Sequence, residues 1–254
     1  MIGVTTRTRA VILDFDDTLA DSRRHRAPVM ADVLSNLGAH PVSADDVRRM
    51  WGVPFRTLVS TLAPSVDYEV FTASYTRSLS GADPVFFSGS AEFLRLLHDC
   101  GVIVIILTTG GRELIVRELE LAGLAGCVTA VFGTDETAFQ KPDPRALDEV
   151  LEVLRQLRID PAETVYIGDS LNDLQVARGR AIAFLGVTSG TASPADFLEH
   201  GVPDEHIFST IATVSPVVER MVDADRHRLS SIATELDDEQ LLDYYEVALG
   251  YAAT

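Results

Sequence analysis

Short, uninterrupted apolar runs recur along the chain, and the clearest of them end at small or acidic residues. Continuous runs, rather than alternating apolar and polar positions, are typical of strands in a parallel sheet covered on both faces. We predict four such strands, at Ala10–Leu13, 102–107, 165–167 and 182–185, with weaker candidates at 128–132 and Ile207–Phe208.

Helical patterns fill the spaces between these runs from residue 88 to residue 190. Apolar residues recur there at spacings of three and four, as expected for helices with one buried face. The predicted helices are 90–98, Arg112–Leu121, 144–157 and 171–178. This alternation of strand and helix predicts an α/β fold with a doubly wound, Rossmann-like parallel sheet.

Residues 21–87 break the alternation, because they contain no good strand. Their helical stretches are 24–37, 44–50, Phe55–Leu62 and Tyr68–Leu79. We therefore predict an α/β core formed by residues 1–20 and 88–210, with a small helical domain inserted at 21–87. Residues 211–254 are predicted to form a C-terminal tail of amphipathic helices that packs on the core or on a partner.

Composition and charge narrow the function classes. The 254 residues are 46% hydrophobic, with a mean hydropathy of +0.15, which is too apolar for a disordered chain. A net charge of −17 leaves no broad basic face for nucleic acid or an anionic membrane. Two cysteines make no disulfide framework, and we find neither a signal peptide nor a membrane-spanning run. We expect a cytoplasmic protein.

The candidate chemistry lies where the predicted strands end. Asp14 and Asp16 follow the first strand, Thr108-Thr109-Gly110 follow the second, and Asp169 and Asp173 follow a later one. Ligands of open α/β sheets bind beyond the carboxyl ends of the strands. Clustered carboxylates repel each other, and a hard cation such as Mg²⁺ removes the repulsion. Lys141 is the only lysine of the chain.

Four ordered segments carry a resemblance to a known family: Asp14-Phe15-Asp16-Asp17-Thr18-Leu19, Thr108, Lys141, and Gly168-Asp169-Ser170-Leu171-Asn172-Asp173. They resemble the four motifs of the haloacid dehalogenase superfamily of phosphohydrolases, over about residues 10–190. The helical insert is similar to the small cap of the phosphoglycolate phosphatase-like branch. The resemblance implies a Mg²⁺-dependent phosphatase that acts on a small phosphorylated metabolite.

The resemblance also implies the role of each residue. Asp14 attacks phosphorus and forms an aspartyl-phosphate, while Asp16 is the general acid and base. Mg²⁺ is held by Asp14, the backbone carbonyl of Asp16 and Asp169, with Asp173 steadying the site. Phosphoryl oxygens are bound by Lys141 and Thr108, with backbone N–H groups at Thr109 and Gly110 as a further cradle.

Alternative functions remain open from the sequence. A phosphomutase of the β-phosphoglucomutase type uses the same core chemistry, and a phosphoaspartate signalling or binding protein shares the clustered aspartates and the lysine. Four basic residues of the insert are candidates for contacting the leaving group, or are solvated helix-face residues: Arg23, Arg24, His25 and Arg56. A homodimer through the insert or the C-terminal helices is a further prediction.

Overall fold

A six-stranded parallel sheet forms the centre of the computed structural model, which describes residues 8–38, 40–79 and 82–218. The strands are β1 (Ala10–Leu13), β2 (Ile103–Leu107), β3 (Ala130–Phe132), β4 (Thr164–Gly168), β5 (Ala183–Val187) and β6 (Ile207–Phe208). Their order in the sheet is β3-β2-β1-β4-β5-β6, with every neighbouring pair parallel. This order is that of a doubly wound nucleotide-binding sheet, so the predicted fold class is confirmed.

The sheet is buried on both faces because successive residues of a strand point to opposite sides. Val11 and Leu13 belong to an apolar cluster on one face, whereas Ala10 and Ile12 belong to a cluster on the other. All four side chains of β1 are fully buried. Burying one such Val, Ile or Leu side chain stabilises the fold by about 1.5–3 kcal/mol, which explains the continuous apolar runs of the sequence.

Helices cover the two faces of this sheet. They are α5 (Ser90–Asp99), α6 (Arg112–Leu121), α7 (Asp148–Gln156), α8 (Leu171–Gly179) and α9 (Pro194–Glu199), counted after the four helices of the insert. The helix predicted at 144–157 begins as a 3-10 turn, Pro144–Leu147, before α7. Asp143 caps this turn by accepting a hydrogen bond from the backbone N–H of Arg145.

Four helices follow β1: α1 (Ser22–Leu37), α2 (Ala44–Arg49), α3 (Phe55–Leu62) and α4 (Tyr68–Leu79). Their buried faces form a third apolar cluster that includes Met30, Leu58 and Phe71. The cluster also takes in Leu114 of α6, so the helices pack against the sheet layer as well as against each other. The domain boundaries at 21 and 87 therefore stay a prediction. We call residues 21–87 the insert.

A further helix over residues 211–218 packs on the sheet through Ile211, Val214 and Val218, all fully buried. The rest of the predicted tail, residues 219–254, lies outside the described residues. Within the described part of the chain, no helix combines the length and apolar character needed to cross a membrane.

Candidate active site

The sheet order brings three polar strand ends together. Because β1 lies between β2 and β4, Asp14 stands between Thr108 and Asp169 at the carboxyl edge. The backbone N–H of Asp14 donates to Ile167 O over 3.0 Å, which fixes its position beyond β1. A cavity of about 30 Å³ opens at this edge. Its lining residues are Asp14, Asp16, Trp51, Gly52, Phe55, Thr109, Lys141, Asp169, Ser170, Asn172, Asp173 and Thr191.

Three carboxylates form a buried cluster in this cavity. Oxygen atoms of Asp14, Asp169 and Asp173 lie within 4.8 Å of one another, and each residue is at most 4% exposed. Burial raises the pKa of Asp14 well above its usual range, since Lys141 offsets only part of the effect and the neighbouring aspartates add to it. Burial, followed by repulsion from Asp173, raises the pKa of Asp169 to about 6.

Lys141 is the cation of this cluster. Its Nζ donates to Asp14 Oδ1 over 2.5 Å, to Asp173 Oδ1 over 2.7 Å and to Leu107 O over 3.2 Å, so all three N–H groups are used. Burial lowers the pKa of Lys141, but Asp14 and Asp173 more than compensate, and the pKa lies well above its ordinary value. Three ionised carboxylates and one ammonium leave two negative charges, and oxygen ligands with that excess suit a divalent cation.

Asp173 is the most fully bonded of the three. Its Oδ1 also accepts from the Tyr166 hydroxyl over 2.9 Å, and its Oδ2 accepts from the Ser170 backbone N–H over 3.2 Å. Ser170 and Asp173 form the capping box of α8, which locks the carboxylate in place. Asp173 therefore orients Lys141, while Asp14 and Asp169 keep more unshared lone pairs for a metal ion.

The backbone of Gly190 and Thr191 passes close to the Asp169 carboxylate and holds it in place. Thr191 donates to its carboxylate through the backbone N–H over 2.7 Å and through Oγ1 over 3.2 Å. A side chain at Gly190 would collide with this carboxylate, and one at Gly168 would collide with Asp173. Glycine is thus needed at both positions by the packing of the carboxylates rather than by backbone conformation.

Asp16 has a separate set of partners. Its Oδ1 accepts from Arg26 Nη1 over 2.7 Å, and its Oδ2 accepts from Thr108 Oγ1 over 3.4 Å. The Thr108 hydroxyl in turn accepts from the backbone N–H of Gly110 over 3.0 Å. Arg26 is only 5% exposed and also donates to Glu118 of α6. This ion triad, Asp16, Arg26 and Glu118, joins the first helix of the insert to the sheet layer.

Most residues proposed from the sequence meet at this edge. Asp14, Asp16, Thr109, Lys141, Asp169 and Asp173 line one cavity, and Thr108 and Gly110 adjoin it through Asp16. The basic candidates of the insert do not line it. Arg23 contacts Asp17 and Gly190 O, Arg24 and His25 face Asp21, and Arg56 pairs with Glu69 and covers the Tyr68 ring.

Sequence reasoning missed Arg26, Glu118, Tyr166 and Thr191. Arg26 and Glu118 are charged residues within helical patterns, where solvent exposure is the usual expectation. Tyr166 sits inside an apolar strand, and its hydroxyl gives no sequence signal for a partner seven residues later. The aromatic residues Trp51 and Phe55 had no assigned role, because the path of the insert across the sheet edge cannot be read from periodicity.

Comparison with known proteins fits this geometry. A sequence profile of the haloacid dehalogenase-like hydrolases matches residues 11–187. The chain belongs to this family. The hydrolase is 29% identical to phosphoglycolate phosphatase of Agrobacterium fabrum over 223 residues, which cover 83% of this chain and 93% of that protein. It is 30% identical to phosphoglycolate phosphatase of Neisseria gonorrhoeae over 201 residues, covering 75% and 84%.

A solved structure shares the fold of the hydrolase. It is a Bacteroides fragilis protein assigned to the haloacid dehalogenase-like hydrolases, with a TM-score of 0.69 and 27% sequence identity. The similarity covers 82% of this chain and 100% of that one. The family resemblance drawn from the four sequence motifs is thus confirmed.

The ion triad predicts a large stability difference between two arginines of the hydrolase. Arg26→Ala leaves two buried carboxylates without their cation, and we expect it to lower the free energy of unfolding by about 3–5 kcal/mol. Arg56→Ala is the matched control, because Arg56 pairs with Glu69 at the surface, where such pairs contribute at most about 1 kcal/mol. Urea unfolding of both variants measures the difference, and equal losses would contradict the burial argument.

The raised pKa of Asp169 predicts how stability responds to pH and metal. Without metal, the stabilising contribution of this carboxyl is full below its unfolded pKa of about 3.9 and is lost as pH rises through about 6. We expect the free energy of unfolding to fall by about 2–3 kcal/mol by neutral pH because of this group. Excess Mg²⁺ should restore the lost stability at neutral pH but have no such effect at acidic pH. Thermal unfolding of wild type and Asp169→Asn tests this; an Asn variant with an unchanged Mg²⁺ response contradicts it.

Proposed function

We propose that the hydrolase is a phosphatase that cleaves a small phosphorylated metabolite through a phosphoryl group carried on Asp14, with Mg²⁺ bound at the carboxylate cluster. The main support is the contact of Lys141 with Asp14 beside two further buried carboxylates. A fixed ammonium and a divalent cation around one carboxylate suit phosphoryl transfer, because negative charge accumulates around phosphorus in the transition state. The relatives named phosphoglycolate phosphatase support the same reaction class.

Asp14 is the proposed nucleophile. Burial leaves its carboxylate poorly solvated, which favours attack once Lys141 and a bound metal ion offset its charge. One Asp14 oxygen attacks phosphorus and the bond from phosphorus to the ester oxygen breaks. The resulting acyl phosphate is then attacked by water, which releases phosphate and restores the Asp14 carboxylate.

Asp16 is the proposed acid and base for these two steps. It gives a proton to the departing ester oxygen and takes one from the attacking water. The ion triad of Asp16, Arg26 and Glu118 holds two carboxylates and one guanidinium, so the single cation is shared between two carboxylates. Arg26 and Thr108 aim the Asp16 carboxylate from opposite sides.

The carboxylate cluster fits a hard divalent ion, and Asp14, Asp169 and the backbone carbonyl of Asp16 would hold it. Bound Mg²⁺ would neutralise phosphoryl oxygens. Lys141 would bind a further phosphoryl oxygen in place of Leu107 O, its longest present bond, while keeping Asp14 in place. The Thr108 hydroxyl would donate to another in place of Asp16. A phosphate contact by the Gly110 N–H would replace its present bond to Thr108.

The insert is proposed to act as a lid. A cavity of about 30 Å³ holds roughly two water molecules, so no phosphorylated metabolite enters without movement of the residues above it. Asn172 of α8 donates to Gly52 O of the insert over 3.4 Å, a weak bond that opening would break. The two connections of the insert pair with each other at Ala20 and Phe86, next to Gly89 with φ +88°. Solution scattering with and without vanadate measures this movement.

The alternatives differ in what happens to the phosphoryl group. A mutase would pass it to a second substrate hydroxyl, and a signalling protein would retain it on Asp14. No described residue favours either over transfer to water. A homodimer through the insert or the C-terminal helices and a cytoplasmic location stay predictions.

An Asp16 variant tests the proposed function directly. Asp16→Asn removes the proton donor, so turnover of alkyl phosphates should fall by about 10²–10⁴-fold. The loss on p-nitrophenyl phosphate should be smaller, because that leaving group departs without a proton. Asp17→Asn is the matched control, since the neighbouring Asp17 is buried but does not line the cavity. Phosphate release is the readout.

Equal losses on both ester types would remove Asp16 from the acid role while leaving hydrolysis intact. Release of a phosphorylated alcohol instead of inorganic phosphate would identify a mutase. A single turnover that leaves a stable phosphoprotein would identify a signalling protein.

A further inference from the structure

The insert supplies an aromatic wall of the cavity. It is formed by Trp51 and Gly52 in the connection between α2 and α3, and by Phe55 at the start of α3. Gly52 has φ +86°, a left-handed conformation that places a tight turn over the sheet edge. Phe55 is braced from behind by an edge-to-face contact with Tyr75, at 6.0 Å between ring centroids. The insert has to move to admit a phosphate ester at Asp14, and on closing again this wall would contact the leaving group.

The lining of the cavity holds a single cationic side chain. Lys141 is that residue, and its three N–H groups are already taken by Asp14, Asp173 and Leu107 O. Lys141 thus serves the phosphoryl end of the site rather than the leaving group.

Three arginines of the insert are committed elsewhere. Arg26 is buried between Asp16 and Glu118, and Arg23 is held by Asp17 and Gly190 O. Arg56 stacks on the Tyr68 ring, at 4.1 Å from its centroid, on the outer surface of the insert. These three arginines do not line the cavity.

A carboxylate on the leaving group would therefore be buried without a cationic partner. It would lie beside two aromatic rings and near Asp14, Asp16, Asp169 and Asp173, whose negative charges repel it. An unpaired buried carboxylate is strongly unfavourable, whereas an apolar surface gains from contact with the same rings. The site thus favours an uncharged leaving group over one that carries a carboxylate.

We propose that the substrate carries an uncharged leaving group, an alcohol or phenol that presents an apolar or aromatic face to Trp51 and Phe55, and that a carboxylate-bearing ester such as phosphoglycolate is disfavoured. The proposal rests on the phosphatase function proposed above. It separates the substrate of this hydrolase from the one in the name of its relatives. Trp51 and Phe55 are its specificity-determining residues.

Two matched pairs of esters test the charge preference. Phosphoglycolamide and phosphoglycolate differ in leaving-group charge at nearly equal size, and so, with an aromatic body, do benzyl phosphate and its 4-carboxy derivative. We expect kcat/KM to favour the neutral member of each pair by about tenfold or more, with benzyl phosphate ahead of phosphoglycolamide. A preference for phosphoglycolate over its amide would overturn the proposal.

Variants of the wall test which residues are responsible. Trp51→Ala and Phe55→Ala should each lower the ratio of kcat/KM for benzyl phosphate over methyl phosphate by about tenfold, mainly through KM. Trp51→Arg supplies a cation and should raise the ratio of phosphoglycolate to phosphoglycolamide. Tyr68→Ala is the control, since Tyr68 is an aromatic residue of the insert outside the cavity lining. Ratios that move equally in the Tyr68 variant would contradict the assignment.

The proposed phosphatase function and the proposed substrate class are contradicted by different results. If wild-type protein with Mg²⁺ releases phosphate from none of the four esters, the proposed phosphatase function fails, and the substrate class falls with it. If it turns over the carboxylate-bearing esters as well as or better than their neutral partners, the phosphatase function stands and the substrate class is wrong.

Discussion

The site is organised by an excess of buried negative charge at the carboxyl edge of the sheet. Asp14, Asp169 and Asp173 are brought together by strand order, and Lys141 alone partly balances them. The fold fixes these partners in sequence. The helix cap at Ser170 and the Tyr166 hydroxyl hold Asp173, and Asp173 in turn holds Lys141. A divalent cation would neutralise the remaining negative charge. The same buried charge that destabilises the fold is therefore the charge that would bind the cation.

A second buried ion group joins the insert to Asp16, the proposed acid–base residue. Arg26 lies on the first helix of the insert, yet its guanidinium reaches Asp16 on one side and Glu118 of α6 on the other. Because this contact sits close to the first connection of the insert, movement of the outer loop at Trp51 need not disturb it. The aromatic wall and the proposed proton donor are thus held by different parts of the same insert.

Much of this arrangement was predictable from the sequence, for physical reasons specific to each element. The strands β1, β2, β4 and β5 are buried along their whole length, so their uninterrupted apolar runs predicted strands of a parallel sheet. The aspartates that follow them were identifiable because strand ends converge in such sheets. Tyr166 and Arg26 were not predictable, because their roles arise from contacts between elements that local pattern does not encode. The aromatic wall was not predictable either, because it depends on the tertiary path of the insert over the sheet edge, and helical periodicity does not encode that path.

Trapping the phosphoryl group tests whether Asp14 carries it during turnover. Wild-type protein is mixed with a turned-over ester and Mg²⁺, quenched rapidly in acid, reduced with borohydride and analysed by peptide mass spectrometry, since reduction converts an aspartyl-phosphate to homoserine. The account predicts homoserine at position 14 during turnover, a larger amount in Asp16→Asn with p-nitrophenyl phosphate, and none in Asp14→Asn. Steady turnover with no modification at Asp14, or with modification at Asp16 or Asp169 instead, would contradict it.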